Sequence, residues 1–265
     1  MTIGIVTLSF NQARWLPEAF DSIHRWQKTP VSHIVVDPGS TDGSRNIISE
    51  WAPRCSGLIL EPDRGPADGL NKGFAALDTD ILGYLNADDR FCPGAIDYVA
   101  HFFERNPEVD ILLGAIRIID GAGRAARRIR RPDPFSVRRH VYGACFVYQQ
   151  ATFFRASTFH STPGFNLANR SCWDSELLVD MALAGARFTR TGRILGDFRL
   201  HSESLTGSGT VLPLLRLDMA RIRDRVVHAG VTPMSRAEAT FARMTHRLSV
   251  RRHLANLIYE PPAQA

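Results

Sequence analysis

Lysine is nearly missing from this 265-residue chain: Lys28 and Lys72 are the only two, and arginine supplies the remaining positive charge. That bias follows genome composition and carries no functional reading of its own. Cysteine is scarce as well, and Cys55, Cys92, Cys145 and Cys172 lie far apart. Neither the close pairs of a zinc site nor the density of a secreted disulfide scaffold is present, which reads as buried thiols in a reducing compartment. No run of about 18 apolar residues occurs, so no bilayer-spanning helix is expected. The segment Met1 to Val6 has no basic cluster, and the apolar stretch ends at Asn11-Gln12, short of a signal-peptide core. Gly-x-Gly-x-x-Gly and the Gly-Lys-Ser/Thr ending of a P-loop are also absent, which disfavours dinucleotide and ATP sites of those types.

What is present suits a folded domain. A hydrophobic fraction of 44% and a charged fraction of 22% are ordinary for a globular protein, and the length allows a full core. The formal charge of +5 is unevenly placed. Residues 1–209 balance 23 basic against 23 acidic side chains, whereas residues 210–265 hold nine arginines and four acids. Any anionic partner of the net charge is therefore expected at the tail.

Apolar strands are expected at Ile3 to Phe10, His33 to Val36, Leu58 to Glu61 and Ile81 to Leu85. They alternate with helical periodicity at Ala13 to Trp26, Arg45 to Trp51 and Ala67 to Ala76. This alternation predicts an α/β fold with a mostly parallel sheet flanked by helices, in which ligands bind beyond the strand C-termini. Pro93 to Arg105 continues as a helix, and residues 110–131 read as a hairpin around Asp120-Gly121-Ala122-Gly123. Trp173 to Ala186 is helical, Phe198 to Thr206 is short and polar-rich, and two helical stretches follow at about residues 212–229 and 235–259.

The densest chemical signal is Ile81-Leu82-Gly83-Tyr84-Leu85-Asn86-Ala87-Asp88-Asp89, where an apolar strand runs into adjacent carboxylates. Such a pair ionises together only with compensation, and a hard divalent cation, Mn²⁺ or Mg²⁺, supplies it. A solvated turn suits the same residues, so this segment alone leaves both readings open. The loop from Glu61 to Gly73 is glycine-spaced and opens a helix, a place that favours anions. Asp174 and Glu176 stand at another helix start, where an acid is commonly a cap.

In order along the chain, Thr7-Leu8-Ser9-Phe10-Asn11-Gln12, Val36-Asp37-Pro38-Gly39-Ser40-Thr41-Asp42-Gly43-Ser44, Glu61-Pro62-Asp63-Arg64-Gly65, Asp68-Gly69-Leu70-Asn71-Lys72-Gly73, Leu85-Asn86-Ala87-Asp88-Asp89, Gln149-Gln150-Ala151-Thr152-Phe153-Phe154-Arg155, Trp173-Asp174-Ser175-Glu176-Leu177 and Phe198-Arg199-Leu200-His201 resemble the motifs of family 2 glycosyltransferases, especially the bacterial branch that builds cell-surface polysaccharides. The resemblance covers residues 3 to about 206. It implies a GT-A, Rossmann-like fold over residues 1–209, with a nucleotide-sugar half at 1–120 and an acceptor half at 121–209. Residues 210–265 then form a basic C-terminal helical extension.

The resemblance also implies roles. Thr7, Ser9, Asn11 and Asp37 would line the nucleotide pocket, and Asp68, Asn71, Lys72, Asn86 and Gln150 would contact the donor. Asp88, Asp89 and His201 would hold the divalent ion at the diphosphate. Asp174 would be the catalytic base, with Glu176 as fallback. One base without a protein nucleophile implies a single, inverting displacement from a UDP-, GDP- or dTDP-sugar to a hydroxyl of a sugar or lipid-linked acceptor. Asn86 and Pro38 stand where relatives commonly carry acids, which keeps open a non-catalytic nucleotide-sugar binding protein.

The arginines at 124, 127, 128, 130, 131, 138 and 139 read as a solvated face or as contacts to an anionic acceptor at the inner face of a cell membrane. The helix from Ser235 to Tyr259 mixes apolar and arginine residues, which suits packing on the core, peripheral membrane contact or pairing in a homodimer. No nucleic-acid motif occurs, and a cytoplasmic location is expected.

Overall fold

The computed structural model describes residues 1–202 and 211–248, with the side chains at 126–128 and 246–248 left aside. The tail beyond residue 248, the polar stretch at 203–206 and the division at residue 209 therefore lie outside the described residues. The first half is a wound sheet: β1 (Ile3–Leu8), α1 (Leu16–His24), β2 (Val31–Val36), α2 (Ser44–Trp51), β3 (Gly57–Ile59), α3 (Pro66–Ala75) and β4 (Ile81–Asn86). Then come β5 (Arg90–Phe91), α4 (Ala95–Arg105), and the hairpin β6 (Ile111–Asp120) and β7 (Ala125–Arg130). The remainder is α5 (Val137–His140), β8 (Thr152–Arg155), α6 (Ala156–His160), α7 (Trp173–Leu183), β9 (Phe188–Leu200), α8 (Leu212–His228) and α9 (Arg236–Leu248).

The sheet runs β3-β2-β1-β4-β8-β6-β9-β5, with β7 added beside β6. The first four strands are parallel. From β8 onward the pairing is mixed, antiparallel except where β9 runs parallel to β6. Leu8, Val36 and Asn86 pair across the sheet, so the chain leaves β1, β2 and β4 along one edge. That shared register gathers three polar loops at one place.

Alternation in β1 sends Ile3 and Ile5 into the core under α1 and α4, and Val6 into the core under α3 and α7. Close backbone approach sets the glycines at two contacts. A Cβ on Gly73 would lie 2.6 Å from a Val6 methyl, so α3 can sit directly on β1. A Cβ on Gly196 would lie 2.5 Å from the carbonyl oxygen of Gln150. Gly196→Ala is therefore expected to cost about 1–3 kcal/mol through overpacking, read as a lowered urea midpoint with an unchanged slope.

The C-terminal extension is part of this core among the described residues. Ile222 and Val226 of α8 pack with Val141, Cys172 and Val179. No helix of the described residues is long and apolar enough to cross a membrane.

Candidate active site

The strand edge opens into a cavity of about 1380 Å³. Ser9 and Phe10 follow β1 into its wall, Asn86, Asp88 and Asp89 follow β4, and Asp63 to Pro66 precede α3. Gln149 and Gln150 enter from the turn before β8, Trp173 and Asp174 from the start of α7, and Phe198 from β9. Arg64, Arg130, Arg170 and Arg243 lie on the same wall, a cationic lining suited to phosphate oxygens.

The acidic pair divides its work. Asp89 is 1% exposed and both its oxygens are taken, one by the backbone N–H of Arg199 at 2.9 Å and the other by the Gln150 amide at 2.8 Å. Burial raises its pKa well above the carboxylate range, and the adjacent Asp88 charge adds to the rise. Asp88 faces His201, whose Nε2 lies 3.0 Å from its Oδ2. An oxygen and an imidazole nitrogen at that spacing fit two neighbouring corners of an octahedron with ligand distances of about 2.1 Å. Asp88 and His201 therefore fit a divalent ion, whereas the Asp89 oxygens are committed to holding Gln150 and β9.

A buried ionic network fixes this turn from behind. Arg199, 1% exposed, donates Nε to the Asp88 carbonyl at 2.6 Å and Nη1 to the Asp120 carbonyl at 3.2 Å, and its Nη2 pairs with Glu18. Arg90 also pairs with Glu18 and reaches Asp197 at 2.7 Å, where Arg117 binds the same carboxylate at 2.7 and 2.8 Å. Glu18, Arg90, Arg117, Asp197 and Arg199 were not among the expected site residues. For Arg117, Asp197 and Arg199 the one sequence signal is charge inside a strand stretch.

Several expected nucleotide contacts are occupied within the protein. Asp37 is fully buried and accepts from the backbone N–H groups of Gly39 and Ser40, the Ser40 hydroxyl and Arg45. Burial pushes its pKa up, but those donors outweigh it and the net shift is downward. Thr7 is bonded to His33 Nε2 at 2.8 Å. The exposed Asn11 accepts from the Thr41 backbone N–H, and its own N–H donates to the Ser40 hydroxyl. These residues build the loops that carry the wall. Ser9 differs, because its buried hydroxyl has no hydrogen-bond partner among the described residues and it lines the cavity.

Around α3, Asp68 is held by Arg64 at 2.9 Å, Lys72 donates to the Pro62 carbonyl at 3.0 Å, and Asn71 clamps the Phe165 backbone at 2.8 and 2.9 Å. The cavity wall takes Asp63, Arg64, Gly65 and Pro66 from this region instead. Asn86 faces the cavity, with its amide 3.4 Å from Gln149 Oε1.

Asp174 and Glu176 are two residues apart and chemically opposite. Asp174 opens to the cavity, and no other side chain donates to it among the described residues. Desolvation raises its pKa, against the Ser175 backbone N–H and the nearby His140, which lower it. Glu176 is 1% exposed and is bound by Arg221 through two 2.7 Å contacts, by Asn166 at 3.0 Å and by Asn169 at 2.8 Å. Burial works against its charge, but these donors win and hold its pKa at about 2. The Glu176 carboxylate is thus held by internal partners, whereas Asp174 lines the cavity.

The family model for glycosyl transferase family 2 matches residues 4–171, which takes in the first eight strands and ends just before α7. The chain belongs to glycosyl transferase family 2. This family 2 glycosyltransferase is 30% identical over 188 residues to an uncharacterized glycosyltransferase of Mycobacterium tuberculosis H37Rv, covering 69% of each chain. It is 26% identical over 177 residues to a PGL/p-HBAD biosynthesis glycosyltransferase of Mycobacterium bovis BCG, covering 64% of this chain and 66% of that one. Its fold matches the structure of Staphylococcus aureus TarS 1-349 in complex with UDP-GlcNAc, with a TM-score of 0.70 at 14% identity, over 94% of this chain and 73% of that one. It also matches the mannosyltransferase PcManGT from Pyrobaculum calidifontis in complex with GDP-Man and Mn²⁺, with a TM-score of 0.61 at 17% identity, over 96% and 84% of the two chains. The GT-A architecture of the glycosyltransferase follows from these matches.

Proposed function

We propose that the enzyme moves a sugar from a nucleotide-sugar donor to a hydroxyl acceptor with inversion, in cell-surface polysaccharide or glycolipid synthesis. The observation that carries this reading is one cavity wall holding Asp174, with a raised pKa and an open carboxylate, together with Asp88 beside His201. Asp174 takes the acceptor hydroxyl proton as that oxygen attacks the anomeric carbon, and the nucleoside diphosphate departs on the opposite side. A divalent ion at Asp88 and His201 would supply charge stabilisation to the diphosphate. The Ser9 hydroxyl and the wall arginines bind and orient the donor, while Asp89 and Gln150 fix the turn that presents Asp88.

Residues 1–209 form the transferase unit in this reading, with donor contacts in 1–120 and acceptor contacts in 121–209. The extension braces the acceptor side: Asp218 of α8 accepts from the Ser171 hydroxyl at 2.6 Å and from the Arg170 backbone N–H at 3.0 Å, three or four residues before Asp174. The glycolipid alternative takes support from the mycobacterial PGL/p-HBAD relative. Exposed Leu217, Phe241 and Met244 on α8 and α9 suit a peripheral contact with the membrane that carries a lipid-linked acceptor.

A thermal-shift screen of UDP-, GDP- and dTDP-sugars with Mn²⁺ tests the donor. A ligand at about 100 times its Kd adds about 2.7 kcal/mol to the native state, a shift of several degrees. Asp88→Asn is expected to abolish the Mn²⁺-dependent part of that shift. If no sugar nucleotide raises the midpoint, the transferase reading fails; binding with neither transfer nor donor hydrolysis would favour a non-catalytic binding protein.

A further inference from the structure

Apart from the cavity lining, two histidines and a cysteine converge from three separate segments. His24 ends α1, His33 lies in β2, and Cys55 follows the short 3₁₀ turn Ala52–Arg54. His24 Nε2 lies 2.9 Å from His33 Nδ1, and Cys55 Sγ lies 3.7 Å from the same nitrogen. The three ligand atoms fall within 4.8 Å of one another, and none of the three residues lines the catalytic cavity. We propose that His24, His33 and Cys55 form a second metal site, selective for a thiophilic divalent cation of the Zn²⁺ type, that staples α1, β2 and the 3₁₀ turn.

The distances suit that chemistry. Zn–N bonds of about 2.0–2.1 Å and a Zn–S bond of about 2.3 Å at tetrahedral angles give edges of about 3.3 Å between nitrogens and about 3.6 Å from nitrogen to sulfur. The protein is within a few tenths of an ångström of both. A mixed nitrogen and sulfur set selects against the hard cations that suit Asp88.

The protonation states also suit it. His33 is buried, with Nε2 2.8 Å from Thr7 Oγ1, and the tautomer that donates to that oxygen turns the Nδ1 lone pair to His24 and Cys55. A ligating histidine whose other nitrogen donates to a fixed oxygen is the usual arrangement around protein-bound zinc.

On binding, the His24 Nε2 proton moves to Nδ1 through solvent exchange, and the hydrogen bond to His33 is exchanged for a metal bond. The Cys55 thiol loses its proton to solvent as it becomes a thiolate ligand, so one proton leaves for each ion bound. Phe20 and Trp51 form the apolar wall, with ring centroids 5.4 Å from His33 and 5.7 Å from His24. Partial exposure of His24 and Cys55 leaves an entry path and a fourth position for water.

Co²⁺ titration of the full-length protein reads the site directly, since a tetrahedral cobalt–thiolate centre has a sulfur-to-metal charge-transfer band that an oxygen-bound ion lacks. One equivalent is expected to produce the band, Zn²⁺ to erase it by displacement, and one proton to be released per ion. Cys55→Ser is expected to lose the band. His24→Ala, at a half-exposed position, is expected to weaken binding by more than about tenfold, the lower bound for losing even an outer-shell partner. Asp88→Asn is expected to leave the band intact, which separates this site from the catalytic cavity. Co²⁺ uptake by the parent protein without a thiolate band, or a band that survives in Cys55→Ser, would overturn the proposal, and neither outcome bears on the transferase reading.

Discussion

Asp174→Asn is expected to lower kcat by about 10²–10⁴-fold while leaving donor binding close to that of the parent, because only proton removal from the acceptor is lost. The amide keeps the shape and the backbone contact to Ser175 but cannot accept the proton. The pH profile separates this from a packing defect. Desolvation raises the Asp174 pKa, so the acid limb of kcat/KM for the parent is displaced upward from that of an ordinary aspartate, and the residual activity of Asp174→Asn lacks that limb. Stability should move the other way. A group whose folded pKa is raised costs stability once the pH exceeds its unfolded value, so Asp174→Asn is expected to be at least as stable as the parent at pH 7 and to lose that advantage in acid. Near-normal turnover in the variant would remove Asp174 from the mechanism.

Arg221→Ala carries the largest expected loss of stability. Glu176 is 2% exposed at its side chain, and removing Arg221 leaves its charge with the two asparagines and with Arg225 at 3.5 Å. Breaking a buried pair on one side costs about 3 kcal/mol. In the parent, the Glu176 pKa falls from 4.5 to about 2 on folding, so its contribution is fully present above the unfolded value and is lost as the pH falls through about 2. That contribution is roughly 2 kcal/mol once the half-exposed Arg221 is discounted for solvent screening. Urea unfolding at pH 7 and pH 3 checks both statements: the parent loses more stability than Arg221→Ala between the two. Glu176 lies two residues from Asp174 in the first turn of α7, so kcat falls with stability here, whereas Asp174→Asn separates them.

The wound first half was legible because each of its strands is apolar and each intervening helix has a clear periodicity, from Ile3-Gly4-Ile5-Val6 to the run before Asn86. The hairpin around Gly121 was legible from its turn. Strand β9 was not, and the reason is physical. Gly192 and Gly196 interrupt its apolar pattern, Asp197 and Arg199 look solvent-facing, and its pairing with β6 shifts register near Ala115. Those charges are buried only because Arg90, Arg117 and Glu18 meet them, which is tertiary information. The same limit governs the site. Motif order pointed to Asp88 and Asp174, whose side chains reach the cavity, but it could not tell a carboxylate facing a ligand from one facing its own loop. Asp37, Asp68 and Glu176 carry the right residue type and spend it on internal donors. The His24, His33 and Cys55 cluster was hidden for a different reason: its residues have no metal-site spacing in sequence, and only the packing of α1, β2 and the 3₁₀ turn before Cys55 brings them together.

The donors that satisfy Asp89 come 61 and 110 residues later in the chain, from Gln150 and Arg199. A ribosome adding 5–20 residues per second supplies the second of them roughly 5–20 s after Asp89 itself. Over that interval the turn after β4 lacks both donors that Asp89 is given in the finished fold. Translation thus delivers the strands of the first half early and the partners that fix this turn late.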